Sequence, residues 1–255
     1  MRILRATLGL SCALAAACVP AATAAGAVEG QHRTVRPLNA PGPLGDERLS
    51  DEQRLSRYAG AVARAPVRAQ PSMNSRQVGR LHYLTEDGPF EVYPVLESHI
   101  DSSGRIWLRI RLPMRPNGRT GWVPRNDLGP LKAVRTMLRV NRTTLRATLY
   151  RKGQRIWSSP IGIGKASTPT PAGRFWIRSR LRGLRESPVY GPYAFGTGAY
   201  SVLSDWPGGG VIGIHGTDQP ELIPGRPSHG CIRVTNAAIT RLRQLMPVGT
   251  PITIL

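Results

Sequence analysis

The chemistry in this 255-residue sequence gathers in one stretch, IGIHGTDQPELIPGRPSHGCIRV from Ile212 to Val234. It carries Cys231 and two of the chain's five histidines, His215 and His229. A thiol becomes a nucleophile at neutral pH when an imidazole stands beside it, because the imidazolium stabilises the thiolate and later returns a proton to a leaving amine. His215 closes the apolar run Val211-Ile212-Gly213-Ile214, and Cys231 leads into Ile232-Arg233-Val234. Two adjacent strand ends can therefore hold the pair within hydrogen-bond distance. The loop between them, Gly216 to Ser228, is long enough to fold over a substrate. Gly230 lets the backbone pass close to a substrate carbonyl, and the amides of Gly230 and Cys231 are expected to serve as oxyanion donors, a contact worth about 2.7 to 4 kcal/mol each. Arg233 shares a strand face with Cys231, where it depresses the thiol pKa or clamps a substrate carboxylate, and Ser228 is placed to hold the loop by a side-chain hydrogen bond.

Two blander readings compete. A lone cysteine in a β core is usually inert packing, but Ser-His-Gly-Cys-x-Arg is too polar for a core strand. His215, His229 and Cys231 are also three potential zinc ligands, yet Ser228 and Arg233 crowd them with groups a zinc shell does not need, and no carboxylate is placed as a general base; no metal or other cofactor is expected. His32, His82 and His99 have no such company and are expected to be solvated. Arg178, Arg180 and Arg182 recur at every second position, either as holders of substrate carboxylates or as a solvated strand face.

The chain's other two cysteines, Cys12 and Cys18, lie in its first twenty residues. There Arg2 and Arg5 precede an apolar run from Ala6 to Val19, and small-residue sites follow at Ala22-Thr23-Ala24 and Ala25-Gly26-Ala27, the order of a secretory signal peptide. The run is too short for a comfortable membrane span, and nothing later is long and apolar enough to make one. Ala15-Ala16-Ala17 before Cys18 lacks the larger aliphatic of a lipobox, so simple cleavage is expected in place of lipidation. An exported chain then keeps one thiol, which is a partner for another chain, a buried bystander or a reactive group. The formal charge of +20 is uneven. Residues 131 to 255 carry eighteen Lys and Arg against four acids, and residues 28 to 130 carry fifteen against eleven. Nucleic acid is excluded as the partner, since no binding motif accompanies the charge and an exported chain rarely meets it; an anionic cell wall fits better, and so does a codon bias toward arginine on solvated positions. The expected location is the cell wall or periplasmic space. Oligomeric state is not legible.

Residues 1–25 are thus read as the signal peptide and 26–48, rich in proline and glycine, as a flexible tether. A short helix is expected over Asp51 to Tyr58, with Ser50 as N-cap and Gly60 as stop. Residues 49–131 read as a small antiparallel β domain. Its strand-like segments are Ala61-Val62-Ala63-Arg64, Pro66-Val67-Arg68-Ala69, Ile106 to Leu112, and Gly121 to Pro124 after a turn at Pro116-Asn117-Gly118. Strands follow at Met137 to Asn141, Thr144 to Tyr150, Gln154 to Ile163, Arg174 to Leu181, Val211 to Ile214 and Ile252 to Leu255. One helix, capped by Asn236, presents Ile239, Leu242, Leu245 and Met246 and stops at Pro247 and Gly249.

Two resemblances attach to these segments. The order PVRAQPS, GRIWLRIRL, GRTGWVP resembles the bacterial Src-homology-3-like domains of cell-wall enzymes, which implies either a wall-binding module or a spacer whose tryptophans are core. His215-Gly216-Thr217 with Ser228-His229-Gly230-Cys231-Ile232-Arg233 resembles the active-site motif of the L,D-transpeptidases, the YkuD-type catalytic domain. The upstream stretches Ile161 to Gly164 and Thr168 to Phe175, and the closing Gly249 to Ile254, agree with it, so residues 134–255 are taken as that domain. The implied fold is mainly β, a small barrel followed by a β-sandwich with one C-terminal helix before the last strand. The implied roles are Cys231 as nucleophile, His215 as its base, the Gly216 carbonyl as the group orienting the imidazole, and His229 and Gly230 as shapers of pocket and oxyanion hole. The implied reaction is acyl transfer on peptidoglycan stem peptides. Cys231 would release D-alanine from the third residue of a tetrapeptide stem, and an amine of a neighbouring stem would resolve the thioester. Hydrolysis at the same site is the nearest alternative, and an inactive wall-binding protein is the non-enzymatic one. A papain-like peptidase is disfavoured because there the cysteine precedes its histidine and opens a helix.

Overall fold

A computed structural model describes residues 34–40, 42–182, 188–205 and 207–255. The expected signal peptide, the start of the tether and His32 lie outside the described residues. Period-two alternation of apolar and polar side chains recurs from residue 47 onward, and most of the chain after it is strand and turn. The first sheet contains β1 (Glu47–Arg48), β2 (Ser56–Ala59), β3 (Pro66–Arg68), β4 (Gln77–Arg80), β5 (Tyr93–Ile100), β6 (Ile106–Arg111), β7 (Thr120–Pro124) and β8 (Lys132–Val134). Their order is β4-β3-β7-β6-β5-β2-β8, with β1 on β5. Val67, Tyr93, Val95, Leu108, Ile110 and Val123 form its core. Trp107 is buried with its indole N–H donated to Asp101 at 2.8 Å, so this tryptophan is held by structure.

The second sheet contains β9 (Thr136–Asn141), β10 (Arg146–Arg151), β11 (Gln154–Pro160), β12 (Gly162–Gly164), β13 (Gly173–Arg182), β14 (Tyr193–Tyr200), β15 (Val211–His215), β16 (Gly225–Ser228), β17 (Ile232–Arg233) and, after helix α1 (Asn236–Leu245), β18 (Pro251–Ile254). The order is β11-β10-β9-β18-β13-β14-β15-β17-β12-β16. β13 belongs to both halves: Gly173 to Trp176 pair with β18, and Ile177 to Arg182 pair with β14. A sheet that changes partners along one strand folds over itself, and side chains from both halves, Leu138 and Leu149 from one and Phe195, Ile214 and Ile232 from the other, share one core. α1 adds Ile239, Leu242 and Met246 to that core. The fold is mainly β, with α1 as its one α-helix among the described residues.

Several expectations are corrected. Asp51 to Tyr58 is not helical: Asp51 Oδ1 accepts the amides of Gln53, Arg54 and Leu55 at 2.8, 2.7 and 2.9 Å, and the chain then enters β2. The side chain that might have capped a helix closes a local turn, and Ser50 Oγ is occupied by the amide of Arg57 and the carbonyl of Val95. Ala61 makes only a single bridge, to Leu128. The described part of the tether is pinned: Val35 bridges Arg48, β1 pairs with β5, and Arg57 donates to the carbonyls of Leu49, Arg36 and Pro37. The expected strand Gln154 to Ile163 breaks at Ile161 into β11 and β12. The cap of α1 is Thr235, whose side chain accepts the Ala238 amide, one residue before the expected Asn236.

Arg178 is the largest correction. It is 4% exposed and does not present itself to a substrate. Its Nε lies 3.0 Å from both carboxylate oxygens of Glu91, itself 1% exposed, and its Nη2 reaches Glu91 and Glu86. Its Nη1 donates to the Tyr200 hydroxyl at 3.3 Å. Glu86 and Glu91 lie on the connection between β4 and β5 of the first sheet and Arg178 on β13, so this cluster ties the two sheets together. Trp176 adds an N–H bond to the Val92 carbonyl at 2.8 Å. Arg180 donates to the Arg243 carbonyl, and Arg182 is exposed.

A buried ion pair stripped of one partner leaves an uncompensated charge. Glu91→Ala is therefore expected to lose about 3–5 kcal/mol in urea unfolding, and the double replacement Glu91→Leu with Arg178→Met to recover most of it.

Candidate active site

β15 and β17 run parallel, with Ile214 opposite Ile232 and His215 opposite Arg233. One residue earlier on each chain, Cys231 comes beside Gly213, whose amide donates to the thiol sulfur at 3.3 Å. A Cβ placed on Gly213 would stand 3.8 Å from Cys231 Sγ and 3.7 Å from His215 Cδ2, so the thiol and the edge of the imidazole border the same small space. His215 is buried. Its Nδ1 lies 2.6 Å from the Gly216 carbonyl. A carbonyl can only accept, so Nδ1 carries the proton and Nε2 keeps its lone pair on the Cδ2 side. The Tyr190 ring packs edge-on at 4.9 Å. Gly216 is needed at its position because a Cβ there would stand 2.2 Å from Asn236 Oδ1, which accepts the Thr217 amide at 3.0 Å. The sequence reading gave Tyr190 no role and made Asn236 a cap; no local pattern marks either, because both act across the fold.

Cys231 is presented by a turn closed from two sides. Ser228 Oγ donates to the Cys231 carbonyl at 2.6 Å and accepts the Gly230 amide at 3.1 Å. Thr170 Oγ1 donates to the Gly230 carbonyl at 2.7 Å and accepts the Gly164 amide at 2.9 Å. The upstream Thr-Pro-Thr-Pro stretch thus works as a clamp on the turn. Gly230 sits at φ +125°, and a side chain there would strike Ile212 Cδ1 at 2.7 Å. Of the two amides expected as oxyanion donors, that of Gly230 is already committed to Ser228; that of Cys231 has no hydrogen-bond partner among the described residues. His229 Nε2 lies 3.2 Å from Lys165 Nζ. Arg233 donates to Gln219 at 3.2 Å, and its buried Nε has no partner among the described residues. Residues 216–228 do not hang free, since β16 pairs parallel with β12. Among the described residues no three His, Cys, Asp or Glu side chains come together as a metal shell.

Burial lowers the His215 pKa to about 4; the Gly216 carbonyl opposes this and the Arg233 charge adds to it. Burial also pushes the Cys231 thiol up, against the Gly213 N–H and Arg233, which pull it down. Arg233 thus acts on the thiol in the expected direction, but burial wins. The resting pair is a neutral thiol beside a neutral imidazole, not the ion pair inferred from residue types alone.

The fold and this pairing define a mainly β protein with a thiol and an imidazole on the ends of neighbouring parallel strands. The family model described as the L,D-transpeptidase catalytic domain matches residues 135–254. YkuD of Bacillus licheniformis, named for L,D-transpeptidase activity, is 36% identical over 121 residues, 47% of this chain and 64% of that protein. YqjB of Bacillus subtilis, similarly named, is 32% identical over 126 residues, 45% of this chain and 68% of that protein. A crystal structure of an Enterococcus faecium L,D-transpeptidase is 28% identical with a TM-score of 0.38, over 47% of this chain and 49% of that one. The chain belongs to the L,D-transpeptidase catalytic-domain family. Among its described residues no helix is long and apolar enough to cross a membrane.

The buried neutral imidazole has a thermodynamic consequence. The unfolded state takes up His215's proton near pH 6.5 and the folded state only near pH 4. The stability this site contributes is complete above pH 6.5 and is lost as pH falls from there toward 4, by about 3 kcal/mol. Urea unfolding between pH 7 and pH 4 should show a visibly flatter acid slope in His215→Asn than in the wild type.

Proposed function

We propose that this chain is a peptidoglycan L,D-transpeptidase using Cys231 as nucleophile and His215 as base. The observation that carries the reading is the His215–Cys231 pair flanking Gly213, with Nδ1 turned to the Gly216 carbonyl and away from the thiol. In the first half-reaction Cys231 Sγ attacks the carbonyl of the third residue of a tetrapeptide stem while His215 Nε2 takes the thiol proton. Because both groups are neutral at rest, attack and proton transfer are coupled. The Cys231 amide faces the developing oxyanion, and His215 returns its proton to the departing amine of D-alanine. In the second half-reaction an amine of a neighbouring stem attacks the thioester, loses a proton to His215, and the thiol is restored. Arg233 supports the reading through its charge, which favours the thiolate over the thiol. The arginine-rich half of the chain suits a substrate carried on an anionic wall.

The reading includes export to the cell wall or periplasmic space. Purified protein incubated with disaccharide-tetrapeptide is expected to yield a cross-linked dimer of the mass lacking one D-alanine. A tripeptide alone would make the protein a carboxypeptidase, and no product with either would point to a wall-binding protein. Cys231→Ala should abolish product, and His215→Gln should lower kcat/KM by about 10²–10⁴-fold. With His215 acting as a neutral base, the acid limb of kcat/KM should fall at about pH 4 and not near 6.5.

A further inference from the structure

The connection between β14 and β15, described at residues 201–205 and 207–210, runs against the turn that carries Cys231. Ser201 touches the catalytic turn directly: its Oγ donates to the His229 carbonyl at 3.2 Å, and a Cβ on Gly230 would lie 3.4 Å from it. Among its described residues this connection has little of its own to hold it. Gly208, Gly209 and Gly210 all sit at positive φ, between 66° and 77°, and Val202 is 69% exposed. Among the described residues its internal bonds are the Ser201 amide to the Gly210 carbonyl at 2.8 Å and the Leu203 amide to Ser201 Oγ at 3.2 Å.

Its anchors come from the other sheet, from the turn between β6 and β7. The Arg115 guanidinium donates to three carbonyls of the connection: from Nε to Ser201 at 3.2 Å, and from Nη2 to Leu203 at 2.8 Å and Gly209 at 3.0 Å. It also lies over the Tyr200 ring at 4.9 Å. Asn117 completes the hold by exchanging two bonds with the Tyr200 backbone. Its Nδ2 donates to the carbonyl at 2.8 Å, and its Oδ1 accepts the amide at 2.9 Å, as a neighbouring strand would. A planar fork spanning three carbonyls fixes a backbone more tightly than three separate weak bonds, because one rigid group is ordered once.

We infer that Arg115 and Asn117 are positioning residues for the reaction: the first sheet, through these two side chains, sets the substrate-facing wall over His229, Gly230 and Cys231. The domain preceding the catalytic motif is then part of the active centre and more than a wall-binding module or spacer. This rests on the acyl-transfer reading for its kinetic consequence alone. Neither residue touches the reacting atoms, so both act on where the stem peptide is held and leave the thiol's own reactivity alone.

The test compares the full chain with Arg115→Ala/Asn117→Ala. Amide hydrogen exchange at Tyr200 and Ser201 should speed up by about tenfold or more while exchange in α1 stays unchanged. KM for disaccharide-tetrapeptide should rise about tenfold with kcat and the rate of Cys231 alkylation by iodoacetamide altered by less than about twofold. Unchanged exchange at Tyr200 and Ser201 overturns the inference, and so does an unchanged KM or an equal fall in alkylation rate. If the double variant fails to fold, Arg115→Gln, which removes the guanidinium but keeps a shorter polar side chain, is judged by the same exchange measurement. Should the wild type make no cross-linked product, the proposed function fails, and exchange with the alkylation rate still decides whether the first sheet holds this wall.

Discussion

Parallel pairing of β15 with β17 is the constraint on which the rest of the site depends. The register sets Cys231, just ahead of β17, beside Gly213 and two residues short of His215 at the far end of β15, so the thiol and the imidazole meet without either leaving a regular strand path. Parallel neighbours also require a crossover, and the chain between the two residues is long enough to supply one. That crossover is kept in register by β16 on β12 and by the clamp of Thr170 on the Gly230 carbonyl. Each of these contacts uses a residue that looks unremarkable alone. Together they bring a thiol, an imidazole and one uncommitted amide to a single small space over Gly213.

Electrostatics at that space follow from its dryness. A buried imidazole and a buried thiol both resist charging, and Arg233 makes the imidazolium harder to form while making the thiolate easier. The pair therefore rests neutral. A neutral thiol is less prone to stray oxidation and alkylation than a thiolate. The Gly216 carbonyl fixes the imidazole tautomer, with the proton on Nδ1 and the lone pair on Nε2.

The two sheets are joined by polar groups as much as by packing. Arg178 with Glu91 and Glu86, Trp176 on Val92, and Arg115 and Asn117 on the connection after β14 form a line of hydrogen bonds along the boundary. Most are directional bonds to main-chain carbonyls or carboxylates, which define a relative orientation better than apolar contact does. Within the first sheet, Glu47 and Arg48 pair with Ser98 and Glu97 of β5, beyond the stretch of β5 that β2 covers.

Much of this was legible in residue order. The Ser-His-Gly-Cys-x-Arg run, the apolar strand ending in His215 and the amphipathic α1 each carry local patterns that survive folding, because strand and helix periodicity are set by nearest neighbours. The expectations failed where a side chain had two possible partners. Asp51 and Ser50 read as a helix start, but their oxygens bond to amides and carbonyls that a turn and a distant strand bring up. Arg178 looked like part of a row of substrate-facing cations, yet β13 changes sheets at Ile177, which turns that side chain inward onto Glu91. The protonation state of the thiol–imidazole pair, the commitment of the Gly230 amide to Ser228 and the reach of Arg115 to three carbonyls belong to the same class. The sequence by itself determined which groups are present, their spacing and the elements that carry them. Tertiary structure decided which are buried and what each one faces, because desolvation and hydrogen bonding depend on neighbours remote in the chain.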